Sequence, residues 1–404
     1  MAGKKKKKEE EQESTETKMV PLAKRLQTMD KLCEQATKNG LALAGRITNP
    51  EVAKRLELRY IPTPSPDINR AIGGGLPITR ATIIAGAPDS GKTGLVLETI
   101  ACNQQADPDF VAVWIETEHS IDQKTLTNTY HIDLNRFIVF FQNSTSAAEG
   151  IGDLLATILR SDVNPNIVVI NSLKMLVPQD EIGKPMTKET IGKQARLNSS
   201  LMKKLIPMFS ESNAAFVMIQ DLTTEIGKMY GDPLGIAGGW AIRYASSLTL
   251  DLRKLSIQDS DPIKRDEGLK IKLSVKKNHC ITDRYPYVAV EYFVEFGHGI
   301  EKMLPVLAAL IDMGAIEKAG AWLRMRDANG ELMPDWSWNG KAAYKADMVA
   351  HPEKFDALLK MAESKIITQL SDEEVKEIEQ QEALDANAVK EDNKEADLLD
   401  QATA

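Results

Sequence analysis

The 404-residue chain has few cysteines, histidines and aromatic residues. Its three cysteines lie far apart without a CxxC spacing, and its five histidines are scattered, which argues against a disulfide framework and a zinc site. No stretch of about eighteen apolar residues occurs, so the sequence predicts no membrane span. The lysine-rich N-terminus has no apolar segment behind it and is unlike a secretory signal. We therefore expect a cytoplasmic protein in a reducing compartment.

The chain also lacks an excess of positive charge, since its net charge is −8. This acidity is local. From Ser371 onward, twelve carboxylates face only three lysines, so that segment carries −9 and residues 1–370 together carry about +1. A near-neutral body with an acidic tail does not exclude a nucleic-acid partner.

Composition along the chain predicts five regions. They are a disordered tail of basic and acidic residues (1–18), an N-terminal oligomerisation helix with its linker (19–56), a core domain (57–300), a small C-terminal domain (301–368) and an acidic disordered tail (369–404). Leu22, Leu26, Met29 and Leu32 recur at the spacing of an amphipathic helix. That helix either packs on its own chain or docks on a neighbouring subunit, and both interpretations stay open.

Apolar, β-branched runs alternate with helix-length stretches through the predicted core. Continuous apolar strands separated by helices predict a mostly parallel sheet covered on both faces, and hence an α/β fold. The runs near 247–252, 270–275 and 288–294 alternate between apolar and polar residues, which predicts strands near a sheet edge. From residue 305 to 365, two helical patterns flank a tryptophan-rich middle, which predicts a small α+β domain.

One segment carries a complete phosphate-binding motif, GxxxxGK[ST], between a predicted strand and a predicted helix. Its residues are Gly86, Ala87, Pro88, Asp89, Ser90, Gly91, Lys92 and Thr93. In such a loop the backbone N–H groups and the helix N-terminus hold phosphate, the lysine faces the β- and γ-phosphates, and the threonine hydroxyl binds Mg²⁺. The sequence therefore predicts an ATP site.

Polar residues follow the next predicted strands. Glu116 and Glu118 follow strand 110–115, at the sheet edge where ligands bind, so one of them could orient a water molecule towards the γ-phosphate. A pair of solvated strand-end charges is the alternative. Asn171 follows strand 167–170, where P-loop proteins usually place a Mg²⁺-binding aspartate. Because asparagine is neutral, we expect weaker metal binding or slower hydrolysis, unless Glu116 supplies the charge.

Several further segments, in this order and spacing, resemble the RecA recombinases of bacteria and their phages. The resemblance runs from about residue 46 to 366. The matching segments are GAPDSGKT (86–93), ETEHSID (116–122), IGKMYGDP (226–233), Gly238-Gly239, KKNH (276–279), FGHGI (296–300) and IEKAGAW (316–322). The resemblance implies a RecA-like P-loop NTPase core, and the departures from its pattern suggest a divergent member, phage-encoded or bacterial.

The resemblance implies roles for individual residues. Glu118 matches the glutamate that activates the attacking water. Lys277 and His279 match a lysine pair that reaches the neighbouring protomer's ATP site, and Asp122 matches a residue near the adenine. Either Gln220 or Asp221 matches the polar residue that senses the γ-phosphate. Residues 183–192 and 228–238 match the two DNA-binding loops, and the DNA-binding candidates are Lys184, Lys188, Arg196, Lys228, Met229, Tyr230, Gly238 and Gly239.

The resemblance also implies an activity and partners. We expect an ATP- and Mg²⁺-dependent recombinase that forms filaments of its own copies on single-stranded DNA, pairs them with duplex DNA and hydrolyses ATP when DNA is bound. A single-strand-binding or mediator protein is a further candidate partner. Two other functions stay open: an ATP-binding filament that coats DNA with little hydrolysis, and a hexameric helicase built on the same core.

Overall fold

The structure is a computed structural model. It describes residues 20–143, 146–160, 165–182, 193–224, 234–236, 240–259, 261–281, 288–327 and 330–362. The chain divides into two units, Met1–Glu57 and Leu58–Ala404. The predicted terminal tails lie outside the described residues, and so do both predicted DNA-binding loops except Leu234, Gly235 and Ile236.

The first unit contains two helices, α1 (Leu22–Lys38) and α2 (Pro50–Leu56). Asn49 caps α2, because its side chain accepts a hydrogen bond from the Glu51 N–H at 2.9 Å. No residue of α1 is buried, and its apolar stripe is exposed along the helix. The predicted amphipathic helix is present and occupies only part of the 19–56 region.

The second unit alternates strands and helices. Its helices are α3 (Pro66–Ile72), α4 (Lys92–Ala106), α5 (Gln123–Asn128), α6 (Ala148–Arg160), α7 (Lys193–Glu211), α8 (Trp240–Ala245), α9 (Met303–Asp312), α10 (Gly340–Ala350) and α11 (Pro352–Ala362). Its strands are β1 (Tyr60–Ile61), β2 (Leu76–Pro77), β3 (Ala81–Gly86), β4 (Ala112–Glu116), β5 (Phe137–Phe141), β6 (Ile167–Asn171), β7 (Ala215–Thr224), β8 (Leu234–Ile236), β9 (Leu248–Leu255), β10 (Gly268–Asn278), β11 (Ala289–Glu295), β12 (Gly299–Glu301), β13 (Ile316–Ala319), β14 (Trp322–Arg326) and β15 (Leu332–Asn339).

The main sheet has ten strands among the described residues. Nine follow the order β12-β11-β10-β9-β3-β7-β6-β4-β5, and β8 pairs with β7. Neighbours from β9 to β5 are parallel, whereas β10, β11 and β12 are antiparallel. The predicted α/β fold with a mostly parallel central sheet is therefore confirmed.

The expectation of a position near a sheet edge holds for β11 and β10, the second and third strands from the β12 edge, but is wrong for β9. This strand lies inside the sheet, between β3 and β10, and its first five residues are buried. The alternation arises because Thr249 and Asp251 are buried polar residues with partners: Thr249 contacts the Ser246 hydroxyl at 3.0 Å, and Asp251 accepts from Arg253 Nε at 2.9 Å. Buried polar groups that are hydrogen-bonded give an interior strand the same alternating apolar and polar sequence as a half-exposed strand.

Two apolar cores cover the faces of the sheet. α4 packs on one face, with Leu95, Leu97 and Ile100 against Trp114 and Val217. The other core contains α6 and α7 side chains, including Leu155, Leu201 and Phe209, together with strand residues such as Phe216 and Met218. Because both faces of the central strands are buried, their sequences are continuously apolar, which is the pattern that predicted them.

The C-terminal part has its own apolar core. α9, α10 and α11 enclose one side of the sheet β13-β14-β15, with Trp338 and Tyr344 packed edge to face. Two helices follow the sheet where the sequence predicted one, because α10 ends at Ala350, with His351 as its C-cap, and Pro352 begins α11. Among the described residues, no helix is long and apolar enough to cross a membrane.

Candidate functional site

The phosphate-binding loop lies between β3 and α4, at the carboxyl end of the parallel strands. A Cβ on Gly86 would lie 2.3 Å from Ser90 Oγ, and one on Gly91, whose φ is +85°, would lie 2.5 Å from Ile271 Cδ1. Glycine is therefore required at both positions. α4 begins after Gly91 without a side-chain cap, so its first N–H groups are free to bind an anion.

Lys92 is the buried charge of this loop, with 8% of its surface exposed. Its Nζ donates hydrogen bonds to the carbonyl oxygens of Gly86, at 3.0 Å, and Ala87, at 2.8 Å. The same Nζ lies 3.2 Å from Asp221 Oδ1. These contacts hold the ammonium group over the loop, where it can also form an ion pair with a phosphate.

β7 brings Asp221, and not Gln220, to the loop. β7 pairs in parallel with β3, with Asp221 opposite Gly86. Because side chains alternate along a strand, Asp221 shares the α4 face with Val217 and Ile219, whereas Gln220 points to the α6 and α7 face with Met218. Gln220 is fully buried there, and neither of its amide atoms has a partner among the described residues.

Glu116 is an internal carboxylate that holds the turn after β4. It is fully buried, and Oε2 accepts from Trp114 Nε1 at 2.7 Å. Oε1 accepts from the backbone N–H groups of Glu118, at 2.9 Å, and Ser120, at 3.2 Å. The side chain is therefore already satisfied and is not placed to orient a water molecule.

Asn171 ends β6 beside Glu116 and is also fully buried. Its Nδ2 donates to Ser120 Oγ at 3.0 Å and to Glu116 Oε2 at 3.5 Å. These two acceptors fix the amide orientation. Its Oδ1 is buried without a partner among the described residues and is left as a free acceptor.

Glu118 is the exposed carboxylate of the pair. The Ser172 hydroxyl donates to its Oε1 at 2.6 Å. Ser172 is itself held in place, because its N–H donates to Thr117 Oγ1 at 2.8 Å. The structure thus separates the two carboxylates, since Glu116 is buried and supports the turn after β4, whereas Glu118 is exposed and contacts Ser172.

The residues present fit a magnesium-bound triphosphate. The glycine cradle, the uncapped start of α4 and the buried Lys92 match phosphate. Within the described part of the chain, Ser90 Oγ and Asn171 Oδ1 are buried polar atoms without partners. Thr93, half-buried in the first turn of α4, and Asn171 would hold Mg²⁺. The metal ion, when bound, would neutralise phosphate charge. Among the described residues, no cluster of three or more His, Cys, Asp and Glu residues forms another metal site.

Of three other predicted residues, Asp122 follows β4 at this edge of the sheet. Lys277 pairs with Thr249 at the opposite edge, where the parallel strands begin, and His279 lies two residues beyond Lys277. Lys277 donates from Nζ to the Arg243 carbonyl oxygen at 2.8 Å, and burial lowers its pKa. His279 is exposed, and its pKa is lowered by partial burial and by the nearby charges of Lys277 and Arg80. Asp122 caps α5, and its pKa is lowered because the Thr125 hydroxyl and N–H donate to it.

Of the predicted DNA-binding residues, the structure describes one. Arg196 lies in the first turns of α7 and is exposed. Lys184, Lys188, Lys228, Met229, Tyr230, Gly238 and Gly239 lie outside the described residues. Lys203, a further basic residue of α7, is exposed, and Lys204 forms an ion pair with Asp153.

Comparison with known proteins agrees with this geometry. A family model described as the RecA N-terminal domain matches residues 40–301. The chain belongs to the RecA family. It is 34% identical to Protein RecA of Thermus aquaticus over 66% of this chain and 76% of the relative, and 30% identical to Protein RecA of Aquifex aeolicus over 78% and 86%. Membership confirms the predicted family and makes this chain a RecA-type protein of DNA recombination and repair that binds ATP and DNA.

Sequence reasoning missed two features of this RecA-type site. One is Lys174, whose Nζ lies 4.0 Å from Asp221 Oδ2. The other is Ser172, which positions Glu118. A signal for Lys174 existed, because a carboxylate beside a phosphate-binding loop needs a nearby cation. The sequence could not identify which lysine supplies it.

Proposed function

We propose that this chain is an ATP-dependent homologous DNA recombinase. Copies of the chain polymerise on single-stranded DNA, pair it with a homologous duplex and exchange strands. DNA-stimulated hydrolysis converts ATP to ADP and phosphate and releases the subunits. We place this activity in the cytoplasm, the host cytoplasm if the protein is encoded by a phage.

The arrangement around the phosphate-binding loop carries the proposal. Lys92 is buried in an intact loop, and Asp221 of β7 contacts it at 3.2 Å. Asp221 lies three residues before the end of β7 at Thr224, and the predicted second DNA-binding loop begins four residues after that end, at residue 228. A change in the partner of Lys92 can therefore alter the strand that leads into the DNA-binding segment. This supports a coupling between ATP and DNA binding.

Each residue of the site has one task in the proposed reaction. The loop N–H groups and Lys92 bind the phosphates, and Thr93 with Asn171 holds Mg²⁺. Glu118, positioned by Ser172, accepts a proton from the attacking water, which adds to the γ-phosphorus as the bond to ADP breaks. Lys277 and His279 would face the ATP of the neighbouring protomer.

Self-association is supported by the first unit. Four apolar residues of α1 are exposed, and they form one stripe of the helix: Leu22, Leu26, Met29 and Leu32. Covering such a stripe on a second copy would remove apolar surface from water. DNA, both single- and double-stranded, and a single-strand-binding or mediator protein are the other proposed partners.

A second candidate function is a DNA-coating filament that binds ATP but hydrolyses it slowly. Two observations favour it. Asn171 brings no charge to the metal site, and the lowered pKa of His279 favours its neutral imidazole. A neutral imidazole has one N–H to donate and adds no positive charge at the neighbouring ATP site.

A phosphate-release assay with and without single-stranded DNA separates the two functions. The recombinase predicts turnover that rises when DNA is added, together with joint-molecule formation between a single-stranded circle and a homologous linear duplex. Nucleotide-dependent DNA binding without DNA-stimulated turnover would support the coating filament. Absence of any ATP binding would refute both.

A further inference from the structure

Asp221 lies between two lysines. Its Oδ1 is 3.2 Å from Lys92 Nζ and its Oδ2 is 4.0 Å from Lys174 Nζ. The side chains of Lys92, Asp221 and Lys174 are 9%, 28% and 48% exposed, so the row runs from the buried loop to solvent. The Lys92 side of this row faces the proposed phosphate site.

A carboxylate at this position creates an electrostatic problem. Asp221 already forms an ion pair with Lys92, the cation that the phosphates need. With Lys92 alone, the two charges cancel, and an incoming phosphate must compete with the carboxylate and is repelled by it. A second lysine leaves the row with one net positive charge and gives Asp221 another partner.

The backbone places Lys174 for this task. It lies in a short 3-10 turn, Leu173–Met175, immediately after the Asn171-Ser172 segment of the site. Leu173 is fully buried in the core on the α6 and α7 face, and the turn packs on β7. The turn is therefore anchored, while the Lys174 side chain extends over the end of β7 to Asp221.

We infer that Lys174 is a positioning residue of the nucleotide site, which holds Asp221 and frees the charge of Lys92 for the triphosphate. This inference rests on the proposed ATP-binding function and adds a residue to it. When a phosphate displaces the Asp221 carboxylate from Lys92, Asp221 still has Lys174 as a cationic partner. Since ATP carries one more phosphate than ADP, Lys174 matters more for ATP than for ADP.

The test is a binding titration of the full chain with fluorescent ATP and ADP analogues, without DNA. Lys174→Ala should weaken ATP-analogue binding about tenfold and ADP-analogue binding less than about threefold. Lys174→Arg should restore ATP affinity, because it restores the charge. In an Asp221→Asn background, Lys174→Ala should change ATP affinity less than about twofold, since no carboxylate then competes for Lys92.

The matched control is Lys264→Ala, which removes another exposed lysine that pairs with a carboxylate, Glu267, at 3.7 Å. Urea unfolding of each variant shows whether the fold is kept. Equal losses for ATP and ADP, or the same loss in the Asp221→Asn background, would overturn the inference. Unchanged ATP affinity in Lys174→Ala would also overturn it while leaving the proposed function in place. Failure of the unaltered chain to bind ATP would overturn both.

Discussion

Replacing Asn171 by aspartate restores the residue that P-loop proteins usually have, and we predict that in this chain it destabilises the fold. Asn171 is fully buried, and its Nδ2 lies 3.5 Å from Glu116 Oε2. An aspartate would turn this donor into an acceptor and set two carboxylates against each other. The neutral residue is therefore the partner that the buried Glu116 requires.

The magnitude follows from the separation of the two groups. At 3.5 Å and an effective dielectric constant of about 20, two unit charges repel by about 5 kcal/mol. Proton uptake and relaxation reduce this penalty, so we expect Asn171→Asp to lower the free energy of unfolding by about 2–4 kcal/mol at pH 8. The repulsion raises the pKa of the carboxyl pair in the folded state, so the deficit should shrink as the pH falls towards 5.

Urea unfolding of four proteins measures this effect: the unaltered chain, Asn171→Asp, Glu116→Gln and the double variant. Glu116→Gln removes the opposing charge, so the double variant should recover most of the stability that Asn171→Asp loses. The measurements are made without Mg²⁺, because a bound cation would compensate the new charge. Equal stability of Asn171→Asp and the unaltered chain at pH 8 would refute the reasoning, and so would a deficit that Glu116→Gln leaves unchanged.

Three further predictions concern Lys92, Glu118 and Glu98. Lys92→Ala should abolish ATP-dependent filament formation, because the phosphates lose their buried cation; electron microscopy checks this, and normal filaments would contradict the role of the loop. Glu118→Gln should keep ATP binding but slow DNA-stimulated phosphate release at least about 100-fold; a normal rate would exclude Glu118 as the base. Burial raises the pKa of Glu98, on α4, to about 7, although its Oε2 accepts from the Ile300 N–H at 2.8 Å. The folded state therefore binds this proton more tightly than the unfolded chain, and stability is lost as the pH rises from about 5 to 8. Glu98→Gln should remove about 3 kcal/mol of that loss, measured by urea unfolding across this range; parallel pH curves for the two proteins would be inconsistent with this assignment.

The sheet and the phosphate loop could be predicted because their signals are local. A strand buried on both faces is continuously apolar, as in β3 and β6, and the loop motif fixes eight consecutive residues between a strand and a helix. The interior position of β9 could not be predicted in this way. Its buried Asp251 is stabilised by Arg253 and Lys276, and Lys276 belongs to β10.

The roles of neighbouring polar residues depend on register, which a sequence pattern specifies poorly. A shift of one residue moves a side chain to the other face of the sheet, so the sequence alone does not tell whether Gln220 or Asp221 faces the loop. The pairing of β7 with β3 places Asp221 opposite Gly86. Glu116 and Glu118 differ because β4 ends at Glu116: the Glu116 side chain points into the core, whereas Glu118 lies beyond the strand and is exposed. Lys174 and Asp221 are 47 positions apart, and only the fold brings them together.

The most direct test of the central claim is negative-stain electron microscopy of the purified chain with circular single-stranded DNA. The claim is that ATP bound by adjacent copies tightens their grip on the strand. With ATP and Mg²⁺ we expect continuous helical filaments on the circles, and with ADP, or with Lys92→Ala and ATP, we expect mostly bare DNA. Bare circles and a monodisperse monomer in the presence of ATP, Mg²⁺ and DNA would contradict the account.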